Sequence, residues 1–432
     1  MGGEWRQVTW GDLATLEYGK GLRGYKNATG DYRVFGTNGP IGWHSEPLCK
    51  FPSVIVGRKG AYRGIHFSPE PFFVIDTAFY LKPKEGFDIK WAYYELLIHD
   101  INNMDSGSAI PSTSRDSFYT LPVLVPPEKE QKAIAHVLGT LDDRIELNRR
   151  MNETLEAMAQ ALFKSWFVDF DPVIDNALAS GKEIPEELSE RAKARAALGD
   201  KRKPLPEEIR SLFPDEFAYS DVMGWIPKGW EGTIFNELIE LTGGGTPKTS
   251  VDEYWNGDIP WFSVVDAPRP ADVFVVDTEK HITQLGVDNS STKILPVGAT
   301  IISARGTVGK CALVGRPMAM NQSCYGIRGK RGLSDSFIYF AVRQQVEHLQ
   351  RGGHGSVFNT ITRDTFKIIK VANGRVELTQ KYEESVKPFL DKILLNNIQH
   401  GNISALRDTL LPKLLSGELR IPDAEKMVEE VV

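Results

Sequence analysis

The stretch PPEKEQKAIAHVLGTLDDRIELNRRMNETLEAMAQALFKSWF, residues 126–167, decides how this chain is read. It sits in the middle of 432 residues, and its apolar side chains recur every three or four positions among charged ones, the period of an amphipathic helix. A heptad assignment puts Ile134, Leu138, Leu141, Ile145, Asn148, Asn152, Leu155, Ala159, Leu162 and Trp166 on one seam. If residues 131–167 are helical throughout, the rod is about 55 Å long at roughly 1.5 Å per residue. So narrow an apolar seam needs a partner.

The natural partner lies in the same chain. QKAIAHVLGTLDDRIELN (131–148) aligns without a gap on QKYEESVKPFLDKILLNN (380–397), matching Leu141 with Leu390, Asp142 with Asp391 and Asn148 with Asn397. Asn148 and Asn397 both fall on the seam, where a buried polar residue fixes register at some cost in stability; two unrelated exposed asparagines are the alternative. VELTQ stands in the second copy where PPEKEQ stands in the first, so the second rod is expected to begin differently. Pro412 predicts that this helix ends or kinks nearby.

The repeat extends beyond the rods. WRQVTWGDLATLEYGKG (5–21) echoes WEGTIFNELIELTGGGT (230–246), VIVGRKGAYRG (54–64) parallels TIISARGTVGK (300–310), and GSAIPSTSRDSF (107–118) parallels GSVFNTITRDTF (355–366). Each half has one ground plan, in the order globule, helix, globule, helix. Short β-branched and aromatic runs such as PSVIVG and ATIISA, punctuated by Gly and Pro, predict strands and turns. Helical patches, KWAYYELLIH and SFIYFAVRQQVEHLQ, follow at matching places. The fold class is therefore α+β, with globules at residues 1–125 and 217–375, a central helical spacer with a charged, Pro-marked return at 126–216, and a C-terminal helical spacer at 376–432.

Composition sets bounds. With 41% apolar and 25% charged residues, the chain reads as an ordinary soluble protein. No apolar run of about 18 residues and no charged-then-apolar leader is seen, which predicts no membrane span and a cytoplasmic location. Cys49, Cys311 and Cys324 form no CxxC pair and read as reduced structural thiols. The net charge of −6 is carried by the helical parts: basic and acidic residues balance at 13 each over residues 1–125 and stand at 17 to 15 over 217–375.

No glycine-rich stretch completes a Walker loop, and there is no HExxH, zinc spacing, GxSxG elbow or Asn-Pro-Pro-aromatic tetrad. The reading is of a chain with no catalytic residues and no metal. What recurs is glycine beside a cation and short polar side chains: YGKGLRGYKN, GRKGAYRG, TGGGTPKT, SARGTVGK and the two Gly-Ser loops. Glycine allows close backbone approach, Lys and Arg neutralise phosphate, and short polar side chains read base edges. Such loops at equivalent places in both halves point to nucleic acid.

Three stretches resemble the specificity subunit of type I restriction-modification systems: LPVLVPPEKEQKAIAHVLGTLDDRIELNRRMNETLEAMAQALFKSWFVDFDPV in the middle, GGGTPKTSVDEYWNGDIPWFSV opening the second globule, and LLPKLLSGEL near the end. The resemblance implies two target recognition domains, each reading half of a split site in double-stranded DNA, held apart by an antiparallel helix pair. It implies that two methyltransferase subunits dock on those helices and that motor-nuclease subunits complete the complex. It also implies that this chain binds no cofactor of its own, S-adenosylmethionine belonging to the methyltransferase partner.

Carried onto this sequence, the first domain presents Lys20, Arg23, Arg58, Lys59, Ser108 and Arg115 to DNA, and the second presents Thr246, Lys248, Arg305, Lys310, Ser356 and Arg363. Lys59 with Arg305, and Ser108 with Ser356, occupy matched repeat positions. Arg115 and Arg363 have a structural alternative, pairing with the adjacent Asp116 and Asp364. Two other functions stay open at this point: a coiled-coil scaffold that binds only protein, and a DNA-acting enzyme whose site carries no recognised motif.

Overall fold

The computed structural model describes residues 5–25, 29–104, 110–352 and 360–431. The first long helix runs Glu128–Phe167 and the second Val376–Leu415, each of 40 residues. Pro126 and Pro127 precede the first, with Glu128 and Glu130 in its opening turn, where a missing N–H is harmless and carboxylates meet the positive end of the helix dipole. Gln131 then fastens the helix to its domain: the side-chain amide donates to the Pro126 carbonyl and its oxygen accepts from the Asp88 N–H, both at 2.8 Å.

The second helix begins differently, as the eroded motif predicted, though only slightly. Gap-free alignment equates Glu128 with Glu377, and the second helix starts at Val376, one residue earlier. Gln380, the counterpart of Gln131, donates to the Gly332 carbonyl at 3.3 Å, and Thr379 adds a tie to Ser334. The Thr379 hydroxyl accepts from the Ser334 N–H at 3.4 Å, and the Ser334 hydroxyl donates to the Thr379 carbonyl at 2.9 Å. Pro412 lies three residues before the end at Leu415, so the helix stops where the proline predicted.

The chain forms two compact units, Met1–Glu146 with His400–Val432, and Leu147–Gln399. Both boundaries fall inside the long helices, so each unit contains part of each helix. In the first unit the strands are β1 (Arg6–Thr9), β2 (Ala14–Tyr18), β3 (Tyr32–Gly36), β4 (Gly39–His44), β5 (Ser53–Gly57), β6 (Ile65–Ser68), β7 (Phe72–Val74), β8 (Ala78–Pro83) and β9 (Pro122–Val125). They make an antiparallel sheet β2-β8-β5-β6, a smaller sheet β4-β3-β7 with β3 and β7 parallel, and a pair β1-β9. Helix Ile89–Leu97, capped by the Asp88 carboxylate on the Trp91 N–H, packs on β5 and β6.

In the second unit the strands are β10 (Phe217–Ser220), β11 (Gly224–Pro227), β12 (Glu231–Ile234), β13 (Ile239–Gly243), β14 (Trp255–Phe262), β15 (Phe274–Val275), β16 (His281–Ile282), β17 (Thr300–Ser303), β18 (Cys311–Val314), β19 (Ala319–Met320), β20 (Cys324–Gly329) and β21 (Lys370–Asn373). The main sheet is β13-β20-β17-β18-β15, the smaller one β16-β14-β19 with β14 and β19 parallel, and β12 pairs with β21. This repeats the first unit, with β13, β20, β17 and β18 in the places of β2, β8, β5 and β6, and adds β15 to the main sheet and the β10-β11 pair. The sequence repeat is a repeat of topology.

Each unit closes its core with pieces of both long helices. In the first, Trp10, Trp91, Tyr94 and Phe118 pack with Leu138 and Leu141 from one helix and Leu410 and Leu414 from the other. In the second, Phe163, Trp166 and Phe167 from the first helix and Tyr382, Val386 and Ile393 from the second join Phe337, Phe340 and Trp230. The Tyr382 hydroxyl donates to the Ala159 carbonyl at 3.0 Å. All the predicted seam positions on the first helix are buried except Leu155 and Leu162, which are partly buried against the same core. The seam serves a whole domain as well as the opposite helix.

A polar layer interrupts the seam within the second unit. Asn148 donates to Gln399 at 3.4 Å, the fully buried Asn396 donates to Asn152 at 2.8 Å, and Asn152 donates to Asn397 at 2.9 Å. With Tyr382 against Ala159, these contacts run antiparallel along the two helices. Asn148 and Asn397 both join the layer, though not as a pair. Asn397 turns outward to the Asp272 carbonyl at 2.7 Å, and Asn152 with Asn396 makes the buried link.

Ion pairs and a hydrogen bond fix the long helices to the domains and to each other. Glu156 meets Arg343 of helix Asp335–Gly352 at 2.5 Å, both nearly buried. In the other unit Asp142 accepts from Tyr94 at 2.6 Å and from Arg407 at 2.9 Å. After the first long helix the chain turns at Phe170, in the left-handed region at φ 53°, into helix Asp171–Ser180. Asp171 is buried and takes two 2.8 Å bonds from Arg191. The three cysteines are free thiols, with Cys49 and Cys324 buried, and burial pushes Cys324 up to about 12.

Removing one partner of a buried ion pair strands the other, at a cost of about 3–5 kcal/mol. Glu156→Leu is therefore expected to lower stability by about that much, and adding Arg343→Met to restore most of it, as read by chemical denaturation. Burial alone would raise the Asp171 carboxyl, but hydrogen bonds from Arg191 and Ser165 and the charges of Arg195 and Arg191 outweigh it and hold the group below its usual 3.8. A carboxyl depressed in the folded state stabilises above its unfolded pKa, and the gain fades as pH falls through the folded value. Melting temperature should thus drop below about pH 4 in part through Asp171, and Asp171→Asn should flatten that part of the profile while lowering stability at pH 7.

Candidate nucleic-acid interface

The candidate loops occupy matched places in the two units. In the first, the β5–β6 hairpin carries Arg58 and Lys59; in the second, the β17–β18 hairpin carries Arg305 and Lys310. Lys59 forms an isolated bridge with Ser112, and Arg305 one with Thr360. Beside these, the Thr113 N–H donates to the Arg58 carbonyl at 2.8 Å and the Ile361 N–H to the Ala304 carbonyl at 2.9 Å. Gly60 and Gly306 follow with φ of 122° and 76°, a backbone region L side chains rarely adopt. Both domains therefore present a hairpin tip stitched to the segment that leads into a short helix, Arg115–Tyr119 in one and Thr365–Ile368 in the other.

The glycines after β2 and β13 have a different reason from the one the sequence suggested. A Cβ on Gly19 would lie 2.0 Å from the Ile75 carbonyl oxygen, and one on Gly244 1.9 Å from that of Asn321. These glycines admit the protein's own backbone. They bring the following loop, with Lys20 in one domain and Thr246 and Lys248 in the other, against the smaller sheet: the Lys20 N–H donates to the Val74 carbonyl of β7 at 2.9 Å, and the Gly245 N–H to the Met320 carbonyl of β19 at 3.0 Å.

Side chains differ more than backbones. Lys20, Arg23, Lys248, Arg305, Lys310 and Arg363 are exposed. Lys59 sits 3.6 Å from the Asp76 carboxylate, and Arg58 donates to the Asp76 carbonyl at 3.0 Å. The Thr246 hydroxyl is bonded to the Gln322 amide oxygen. Ser108 and Ser356 lie outside the described residues. Neither arginine takes the structural alternative set by its neighbour: Arg115 donates to the Tyr119 hydroxyl at 3.0 and 3.2 Å, and Asp364 pairs with Lys367 at 2.8 Å.

Sequence reasoning missed the aromatic residues that hold the first cluster. The Arg58 guanidinium lies 4.8 Å from the Tyr18 ring centroid and that of Arg115 lies 5.0 Å from the same ring. Hydrogen bonds from Tyr119 and then Tyr18 raise the Arg115 pKa further above its usual value. Together with Phe79, Ser112 and Asp116 these residues line an open cleft of about 460 Å³. Alternation along the strand gave no signal, because Tyr18 is in phase with the buried Ala14 and Leu16 and yet stands exposed at the strand end.

Among the described residues no three His, Cys, Asp or Glu side chains gather as a metal set, and no helix is long and apolar enough to cross a membrane. What the geometry offers is two copies of a cationic, hydrogen-bonding surface on equivalent scaffolds.

The type I restriction modification DNA specificity domain matches residues 2–157 and 227–373 of the chain, one match to each copy. The chain belongs to that family of specificity subunits and carries two target recognition domains. It is 31% identical over 339 residues to the type I restriction enzyme HindI specificity subunit of Haemophilus influenzae, spanning 72% of each protein. It is 24% identical over 355 residues to the MjaIX specificity subunit of Methanocaldococcus jannaschii, spanning 79% of this chain and 71% of that one. A solved type I restriction-modification S subunit from M. genitalium has the same fold, with a TM-score of 0.58 over 95% of this chain and 96% of that one at 16% identity.

If Lys59 and Arg305 lie on DNA phosphates, Lys59→Ala and Arg305→Ala should each reduce the slope of log affinity against log salt by about 0.9. The loss should be equal for cognate and unrelated duplexes, measured on the complex with its partner subunits.

Proposed function

We propose that this specificity subunit reads a bipartite site in double-stranded DNA, each recognition domain taking one half, and that the paired long helices set the distance between the halves. The observation that carries this reading is the duplicated loop geometry around Lys59–Ser112 and Arg305–Thr360. One chain offers two equivalent surfaces whose side chains differ, as two different half sites require. A 40-residue helix spans about 60 Å at 1.5 Å per residue, against about 34–36 Å for one turn of duplex.

The chemistry is assigned to partners. Two methyltransferase subunits dock on the helices and bind S-adenosylmethionine, and motor-nuclease subunits complete the restriction complex. The helices carry surface suited to docking: Leu147 and Met158, three turns apart on one face, and Leu395 and Ile398 on the other helix are all about half exposed. These residues are where the docking of a partner would bury apolar surface. The recognition domains bring little excess positive charge, so the isolated chain is expected to bind DNA weakly and to depend on the complex for affinity.

The test is coexpression with the methyltransferase subunit of the same system, followed by single-molecule sequencing of adenine methylation in the host genome. The expected result is a motif of two short specified blocks around a fixed unspecified gap. Inserting one heptad at matched places in both long helices should widen that gap by about three base pairs, since seven residues add about 10 Å. A continuous motif, or a gap unchanged by the insertion, would remove the helical ruler. A protein-only scaffold predicts no methylation and no footprint.

A further inference from the structure

The two domains share a backbone and part of their charge, and the places where they differ are informative. Matched hydrogen bonds fix the correspondence: the Gly19 N–H to the Ala78 carbonyl at 3.2 Å parallels Gly244 to Cys324 at 3.3 Å, and the Arg58 N–H to the Thr77 carbonyl at 2.9 Å parallels Ala304 to Ser323 at 2.7 Å. Lys59 thus answers to Arg305 and Arg115 to Arg363, cation for cation. Tyr18 answers to Gly243, and Arg58 to Ala304. A group that grips the DNA backbone is needed on both halves of a site. A group present on only one is suited to reading sequence.

The unshared pair sits in a closely built cluster. The Tyr119 hydroxyl accepts from the Leu16 N–H of β2 at 3.0 Å and from Arg115. Arg115 lies against one side of the group around Tyr18, and Arg58 packs on both Tyr18 and Phe79, at 4.8 and 5.6 Å from their centroids. Arg58 spends one N–H of its fork on the Asp76 carbonyl at 3.0 Å. Tyr18 itself remains 48% exposed, so the assembly stands at the surface of the cleft. Asp116 lines the same cleft and offsets part of its charge. A guanidinium pinned by two rings is pre-organised for a planar pair of acceptors; Arg115, at 5.0 and 5.6 Å from the Tyr18 and Tyr119 centroids, is pinned as well, and it is the lack of a counterpart in the second domain that singles out Arg58.

We infer that Arg58, positioned by Tyr18, is a specificity-determining residue of the first recognition domain and reads a guanine through its O6 and N7 edge. This rests on the DNA-reading function proposed above. Lys59 and Arg115, shared with the second domain, hold the backbone. The second domain, with Gly243 and Ala304 at these places, reads its half site by other groups.

The experiment uses the chain coexpressed with its methyltransferase subunit, with the methylated motif read by single-molecule sequencing for wild type, Arg58→Ala, Arg58→Lys, Tyr18→Phe, Tyr18→Gly and Lys59→Ala. Wild type should show a guanine in the block assigned to the first domain. That block is identified as the one altered when the residues of the first recognition domain are exchanged for those of a relative. Arg58→Ala should relax that guanine alone, by roughly 10- to 100-fold in discrimination, and leave the other block intact. Arg58→Lys should relax it partly and Tyr18→Gly should follow Arg58→Ala, while Tyr18→Phe, which keeps the ring, should preserve the motif. Lys59→Ala should lower methylation evenly. An even loss with Arg58→Ala and an unchanged motif makes Arg58 a phosphate contact and overturns the inference, as does a first block without guanine on either strand. Retained methylation of the second block reports that a variant has folded; if Arg58→Ala abolishes all methylation, Arg58→Lys decides between the same outcomes. A wild type with no split motif fails the underlying function and not this assignment alone.

Discussion

Everything in this molecule depends on where two long apolar seams are buried. A 40-residue helix with one greasy edge is unstable alone, because propensity contributes little and packing nearly everything. Here each helix submerges one end in the core of one recognition unit and the other end in the core of the second, so neither unit has a complete core without both helices. Trp91 needs Leu138 and Leu414 around it as much as Phe337 needs Phe167 and Tyr382. The helices are therefore core elements that happen to continue from one domain into the next, and a domain boundary drawn at their ends would cut through packed side chains.

The repeat was legible because its strongest signals are backbone requirements. Glycines at Gly19, Gly60, Gly244 and Gly306 are dictated by close approach or by positive φ, so they persist while the surrounding side chains change. The heptad seam was legible for a similar reason, since burial tolerates few residue types. The ties at the start of the second helix were not. Gln380 stands where Gln131 does but ties to the Gly332 carbonyl, and Thr379 meets Ser334, so a retained glutamine conceals different contacts. The partner of Asn152 was also hidden, because the heptad gives phase on one helix and says nothing of which asparagine of an adjacent pair, Asn396 or Asn397, turns inward.

The candidate interface was half legible. Cations beside turns could be picked out, and Arg58, Lys59 and Arg115 do converge in space. Their organiser, Tyr18, reads in sequence as one more aromatic at a strand end. Only the hairpin tip folding back on β2 shows that two arginines from distant segments meet at its ring. Long-range convergence of this kind leaves no periodic trace, whereas the adjacent Arg-Asp pairs that did catch the eye turned out to use other partners, Tyr119 and Lys367.

The ion pairs have a consequence for assembly. Apolar cores built on one repeated plan are close to interchangeable, and a chain made of two such halves could close on a neighbour's helices in place of its own, running on into polymers. Glu156 with Arg343 at one end, and Tyr94, Asp142 and Arg407 at the other, are different charge patterns on similar scaffolds. A helix end presented to the wrong core would leave Glu156 or Arg343 without its partner, at a cost of about 3–5 kcal/mol. These charges thus act as addresses, telling each helix end which of two similarly planned sockets is its own.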